Sequence, residues 1–141
     1  MPEASDVFYI DQGTGFPVIL IHGFCETHEV WTRFAKLLSK DFRIISVDLP
    51  GFGKSKSLPA NFSVADAAAS INKLLTSLKI KQCIPIGHSL GGYVTLAMIS
   101  QQPELFSAFG LFHSTAYADS EERKASRNKV IEFVKNNGVA P

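Results

Sequence analysis

The sequence predicts an α/β fold: a mostly parallel, twisted sheet with helices on both faces. Two observations carry this expectation. Short apolar runs rich in β-branched residues alternate along the chain with segments whose apolar residues recur at helical spacing. Such alternation marks strand–crossover–strand units on a parallel sheet. The runs are also continuously apolar, as in Pro17-Val18-Ile19-Leu20-Ile21, and an unbroken run marks a strand covered on both faces.

The elements follow in order. Residues 7–10 read as a first short strand, closed by the turn formers Asp11, Gly13 and Gly15. Residues 17–21 are the second strand. Val30, Trp31, Phe34, Leu37 and Leu38 form one stripe, which predicts a helix over 30–38. Residues 42–47 are the next buried strand, ended by the loop Asp48-Leu49-Pro50-Gly51-Phe52-Gly53. Ser63 with Asp66 three residues on resembles a capping box, and Val64, Ala68, Ile71, Leu74, Leu75 and Leu78 recur behind it at helical period. Residues 83–86 read as a strand. Residues 87–92 are then expected to turn sharply into a helix over 93–101, which Pro103 ends. Residues 109–112 form one more strand. Asp119 with Glu122 opens a charged helix that Asn137-Gly138 closes.

A chain of 141 residues allows one domain and hardly more. With 45% hydrophobic and 19% charged residues a packed core is expected. Fourteen Lys+Arg against 13 Asp+Glu is too even a balance for a nucleic-acid or membrane-surface partner. No apolar run approaches the roughly 20 residues a membrane helix needs, and the opening MPEASDVFYI has neither the basic nor the apolar region of a secretory signal. Cys25 and Cys83 stand in no paired spacing, which suits a reducing, cytoplasmic setting.

In parallel sheets ligands sit beyond the carboxyl ends of the strands, here the loops after Ile21, Val47, Ile86 and Phe112. The strongest motif is Gly87-His88-Ser89-Leu90-Gly91-Gly92, set between a buried strand and a helix. A serine hydroxyl is a weak nucleophile unless it is exposed, oriented and served by a base. A tight strand-to-helix turn supplies the first two conditions, and its crowded backbone requires residues without bulk, here Gly87 and Gly91. The helix that follows aims its free N–H groups at a developing oxyanion. His22-Gly23-Phe24 follows the most buried strand. Its glycine lets the backbone approach the site, so the Phe24 and Leu90 amides are the expected oxyanion donors. The His22 side chain is expected only to end its strand and bond the neighbouring loop.

These two motifs, with Asp48-Leu49-Pro50-Gly51-Phe52-Gly53-Lys54-Ser55, resemble the α/β-hydrolase fold superfamily over roughly residues 7–118. The likeness is greatest to esterase, lactonase and peptidase-like members that carry a helical cap. The resemblance implies Ser89 as nucleophile, with the Phe24 and Leu90 amides as the oxyanion hole. His22, Gly23, Gly87, His88 and Gly91 would be the supporting loops. Residues 1–118 would be the N-terminal part of the core and 119–141 the start of the cap. A small carbonyl substrate (ester, lactone, thioester or small amide) and no cofactor are implied.

The chain also departs from that pattern. The family's triad runs Ser, then Asp or Glu, then His, and no histidine follows His113. The fold is therefore expected to be truncated before its last strands, with the usual acid and base outside the sequence. His113 and Asp119 are the local residues that could stand in as base or acid. Their plainer readings are a strand-end histidine and a helix N-cap. His88, adjacent to Ser89, is expected to point away and to be packed or loop-bonded.

Three decoys fall away. Gly53-Lys54-Ser55 lacks the first glycine of a phosphate loop, since position 48 is Asp, and Gly51-Phe52-Gly53 finds Lys56 where a dinucleotide fingerprint needs its third glycine. His22, Cys25 and His28 do not supply the four ligands, or three plus water, of a zinc site; Cys25 reads as part of a pocket wall. Three functional readings remain: a serine hydrolase; a catalytically incomplete fragment or assembly subunit lacking the acid and His; or a ligand receptor or lyase on the same scaffold. Strand 109–112 would be an apolar sheet edge, so self-association or pairing with a missing C-terminal half is expected.

Overall fold

The computed structural model describes residues 6–56 and 59–138. The first five residues, where no leader is expected, and the last three of the expected cap lie outside the described residues. The strands are β1 (Tyr9–Gln12), β2 (Phe16–Ile21), β3 (Phe42–Val47), β4 (Ile84–His88) and β5 (Gly110–Phe112), and the helices α1 (Thr32–Leu38), α2 (Val64–Ser77), α3 (Leu90–Gln101) and α4 (Glu121–Asn137). They make one sheet in the order β1-β3-β2-β4-β5. Only β1 runs antiparallel to its neighbour; β3, β2, β4 and β5 pair in parallel.

The pleat sorts the apolar runs onto two faces. Ile19 and Ile21 of β2, with Ile45 and Val47 of β3, meet Ala67, Ala68, Ile71, Leu74 and Leu75 of α2 and Val94 and Met98 of α3. Val18 and Leu20, with Ile44, face the other way onto Trp31 and Ala35. Helices on both faces are what the unbroken runs predict. Each fully buried Ile or Leu contributes about 2 kcal/mol, so the central strands anchor everything the loops carry.

The Ser63 capping box is formed in full: the Ser63 side chain accepts from Asp66 N, and the Asp66 carboxylate accepts from Ser63 N at 2.7 Å. Several boundaries differ from the sequence expectation. The first strand is 9–12 rather than 7–10, because Val7 is buried in the core while Tyr9 to Gln12 pair with β3. The helix expected over 30–38 begins as a 3-10 turn at His28, held by the Thr27 side chain on Glu29 N, before α1 proper. β4 runs on through Gly87 and His88, and α3 starts at Leu90. The expected six-residue turn is therefore the single residue Ser89.

Cys83, just before β4, bridges to Phe106. Burial pushes its thiol up to about 12, so it stays protonated and unreactive. β5 has one edge unpaired among the described residues. No described helix is long and apolar enough to cross a membrane.

Candidate active site

Ser89 sits at the corner between β4 and α3 with φ 49° and ψ −113°. Such a conformation in a residue with a side chain costs on the order of 1–3 kcal/mol and persists only where its surroundings hold it. Here they do. Ser89 N donates to Phe112 O at 3.1 Å, and Ser89 O accepts from Gly92 N at 3.0 Å and from Ser114 Oγ at 2.8 Å. The corner is also too crowded for side chains. A Cβ on Gly87 would strike the Gly91 carbonyl, and one on Gly91 would strike the carbonyl oxygens of Ile21 and His22.

The loop after β2 lies against this corner. A Cβ on Gly23 would stand 3.2 Å from the Ser89 Cβ. His22 is fully buried, with Nδ1 2.7 Å from Gly23 O and Nε2 2.9 Å from Leu49 N. An amide can only donate, so Nε2 is the acceptor and Nδ1 carries the proton. Burial lowers the His22 pKa, which keeps the ring neutral in this bridging role. His22 thus does what the sequence implied: it ties the strand end to the next loop.

The sequence reading missed Glu26. Its Oε2 accepts from Gly23 N at 2.7 Å and lies 2.9 Å from His88 Nδ1. One carboxylate oxygen therefore fastens the 22–24 loop to the residue preceding Ser89. Partial burial pushes the Glu26 carboxyl up, but the bonds from His88 and Gly23 together outweigh it and hold the group below its ordinary value. Phe24 is 59% exposed, its ring edge-on to Phe52 at 6.0 Å. Among the described residues neither the Phe24 nor the Leu90 amide has an acceptor.

A second locked loop is tied to the first through the His22 ring and the Leu49 amide. Asp48, at the end of β3, is fully buried; Oδ1 accepts from His28 N at 2.7 Å and lies 2.8 Å from His28 Nδ1, and Oδ2 accepts from Lys54 N at 2.9 Å. Burial raises the carboxyl, but the His28 and Lys54 amides and the His28 ring together hold it below its usual range. His22 and His28 are thus committed to separate hydrogen bonds. Cys25 is exposed, with φ 58°, rather than part of a pocket wall.

Ser89 opens into a cavity of about 470 Å³, lined also by Tyr93, His113, Ser114 and Thr115 and, from α4, by Arg123 and Arg127. His113 has φ 47° and packs its ring on Phe112 at 4.6 Å and against His88 at 6.2 Å. It shares the cavity with Ser89, but no hydrogen bond joins it to the Ser89 hydroxyl or to Asp119. Asp119 pairs with Arg127 Nε at 2.6 Å and lies 3.4 Å from the Tyr93 hydroxyl. It is not the N-cap its position suggested: Ser120 caps α4, its side chain accepting from Arg123 N. Gly23, Gly87, His88 and Gly91 lie against the Ser89 corner, and His113 lines the same cavity as Ser89. Glu26, Ser114 and the two arginines were not foreseen from the sequence.

A family model described as the alpha/beta hydrolase fold matches residues 17–127. The chain belongs to that family. Among curated relatives of this hydrolase-fold chain, the uncharacterized hydrolase YugF of Bacillus subtilis is 35% identical over 101 residues, covering 71% of this chain and 37% of that protein. The (E)-2-((N-methylformamido)methylene)succinate hydrolase of Acinetobacter baylyi is 28% identical over 117 residues, 83% of this chain and 44% of that one. A thermophilic esterase from Thermogutta terrifontis, solved with malate bound, superposes with a TM-score of 0.87 at 32% identity, covering 94% of this chain and 49% of the esterase. The chain thus spans about half the length of these relatives, or less.

Proposed function

We propose that these residues carry the nucleophile and oxyanion side of a serine hydrolase, acting on an ester, lactone, thioester or small amide. The observation that supports this best is the strained, hydrogen-bonded Ser89 corner with Gly23 packed on it. The Ser89 Oγ attacks the substrate carbonyl carbon while its proton passes to a histidine base. The oxyanion receives the free Phe24 and Leu90 amides, and the N-terminus of α3 adds its positive end. Collapse expels the alcohol, thiol or amine with a proton from the same base, leaving an acyl-Ser89 that water hydrolyses. In this reading the base and its carboxylate come from residues beyond these elements, and α4 begins the cap. A further strand would pair at the free edge of β5, whether from such a segment or from a second copy.

The test is intact-mass spectrometry of the folded chain after exposure to a fluorophosphonate, with Ser89→Ala alongside. A single adduct that vanishes in Ser89→Ala is the expected result. Labelling that survives the substitution would overturn the reading; a folded chain that never labels has the corner without a base in reach, so that the base lies wholly outside these residues. His113→Ala decides the source of the base, since an unchanged rate removes His113 from consideration.

Glu26→Ala is expected to slow labelling about tenfold, because freeing the Gly23 amide lets the 22–24 loop drift from its aligned position. Its melting temperature should move little, as Glu26 is only partly buried. Equal slowing by an exposed control such as Glu132→Ala would argue against that positioning role.

A further inference from the structure

The cavity beside Ser89 has a wall that simple ester hydrolysis does not require. Arg123 and Arg127 lie four residues apart on one face of α4, and both line the cavity. They are not equivalent. Arg127 is neutralised by Asp119, its Nε 2.6 Å from Oδ2. The Arg123 guanidinium has no carboxylate partner among the described residues, while Asp119 is engaged by Arg127 and Glu121 by Lys124 at 2.7 Å. Asp119, Arg123 and Arg127 together leave one uncompensated positive charge at the mouth of a cavity with no aliphatic lining residue. The N-terminus of α3 adds to it from the Ser89 side.

We propose that this site selects substrates bearing a carboxylate on the acyl or alcohol portion, held by Arg123 while the reacting carbonyl lies at Ser89. The inference rests on the Ser89 reading above. A guanidinium offers a planar fork that matches the two oxygens of a carboxylate, and about 470 Å³ accommodates a short dicarboxylate monoester. The Asp119–Arg127 pair has a supporting part: it keeps the Asp119 carboxylate engaged with Arg127, and it meets the Tyr93 hydroxyl.

Saturation-transfer NMR on the folded chain tests this with monomethyl succinate and its uncharged counterpart, dimethyl succinate. At low ionic strength the monoester is expected to bind about tenfold tighter, a preference that salt erodes. Arg123→Gln should bring the monoester down to the diester without altering the diester. Lys129→Gln, which removes an equal charge from a different face of α4, should leave the preference intact. Equal binding of the two esters, no binding of either, or equal loss of preference in the Lys129 variant would overturn the proposal. Ser89→Ala separates the two readings. A preference that persists where labelling survives in Ser89→Ala would sink the nucleophile and keep the carboxylate site; labelling that needs Ser89 but comes without any preference would do the reverse.

Discussion

Gly91→Ala is expected to destabilise the fold by about 3 kcal/mol or more, a large part of what a domain of this size has to spare. The added methyl would strike the carbonyl oxygens of Ile21 and His22, and both belong to backbone that cannot yield. Ile21 ends β2, the central strand, paired to β3 on one side and β4 on the other. Moving α3 away to relieve the clash would open its contact with Ala67, Ala68 and Ile71. Gly110→Ala is the control. Its Cβ would meet only the Ile86 side chain, at 3.3 Å and beyond, and a shift within about 1 kcal/mol is expected. Urea unfolding of the two variants against the parent chain decides it. Equal costs would show that the crowding at the corner is relieved cheaply.

The second large effect is expected at Asp48. In Asp48→Asn one carboxylate oxygen becomes an amide donor, which must face either the Lys54 N–H or the His28 donors. A buried donor opposed to a donor forfeits its bond and its hydration, a loss of about 2–4 kcal/mol. The pH dependence has a definite sign. The folded-state pKa of Asp48 is depressed, so its stabilisation is fully present above the unfolded value of about 3.9 and is lost as pH falls through the lower folded value. The stability gap between parent and Asp48→Asn should be constant from pH 5 to 8 and narrow only below about pH 4. A gap that narrows near neutrality would assign the effect to another group.

Sheet, helices and corner were legible in the sequence because each is written in neighbouring residues. β3 falls on the expected 42–47, its apolar run bounded by polar residues and a Pro-Gly loop. The Ser63–Asp66 box announces α2 within four positions. Glu26 was illegible for the opposite reason: its partner His88 lies 62 residues away, and nothing around Glu26 distinguishes it from a solvated carboxylate. His28 and Asp48 meet across 20 residues in the same way, and neither stands near the other in the sequence. Asp119 shows a local rule yielding to a different partner: Ser120 caps α4, and Asp119 pairs with Arg127 instead.

The strand order has a consequence for how the chain is made. β2 is flanked by β3 and β4, and its partner on the second side begins only at Ile84. During synthesis at about 5–20 residues per second, the stretch Phe16–Ile21 therefore emerges and waits several seconds for that neighbour. Throughout the wait this strongly apolar strand has its β4 edge bare, the kind of edge that joins its counterpart on another nascent chain. Yield in the cell should thus depend on translation rate and on holdase chaperones at the ribosome, and slowing the codons between 22 and 84 should send more of the product into inclusion bodies.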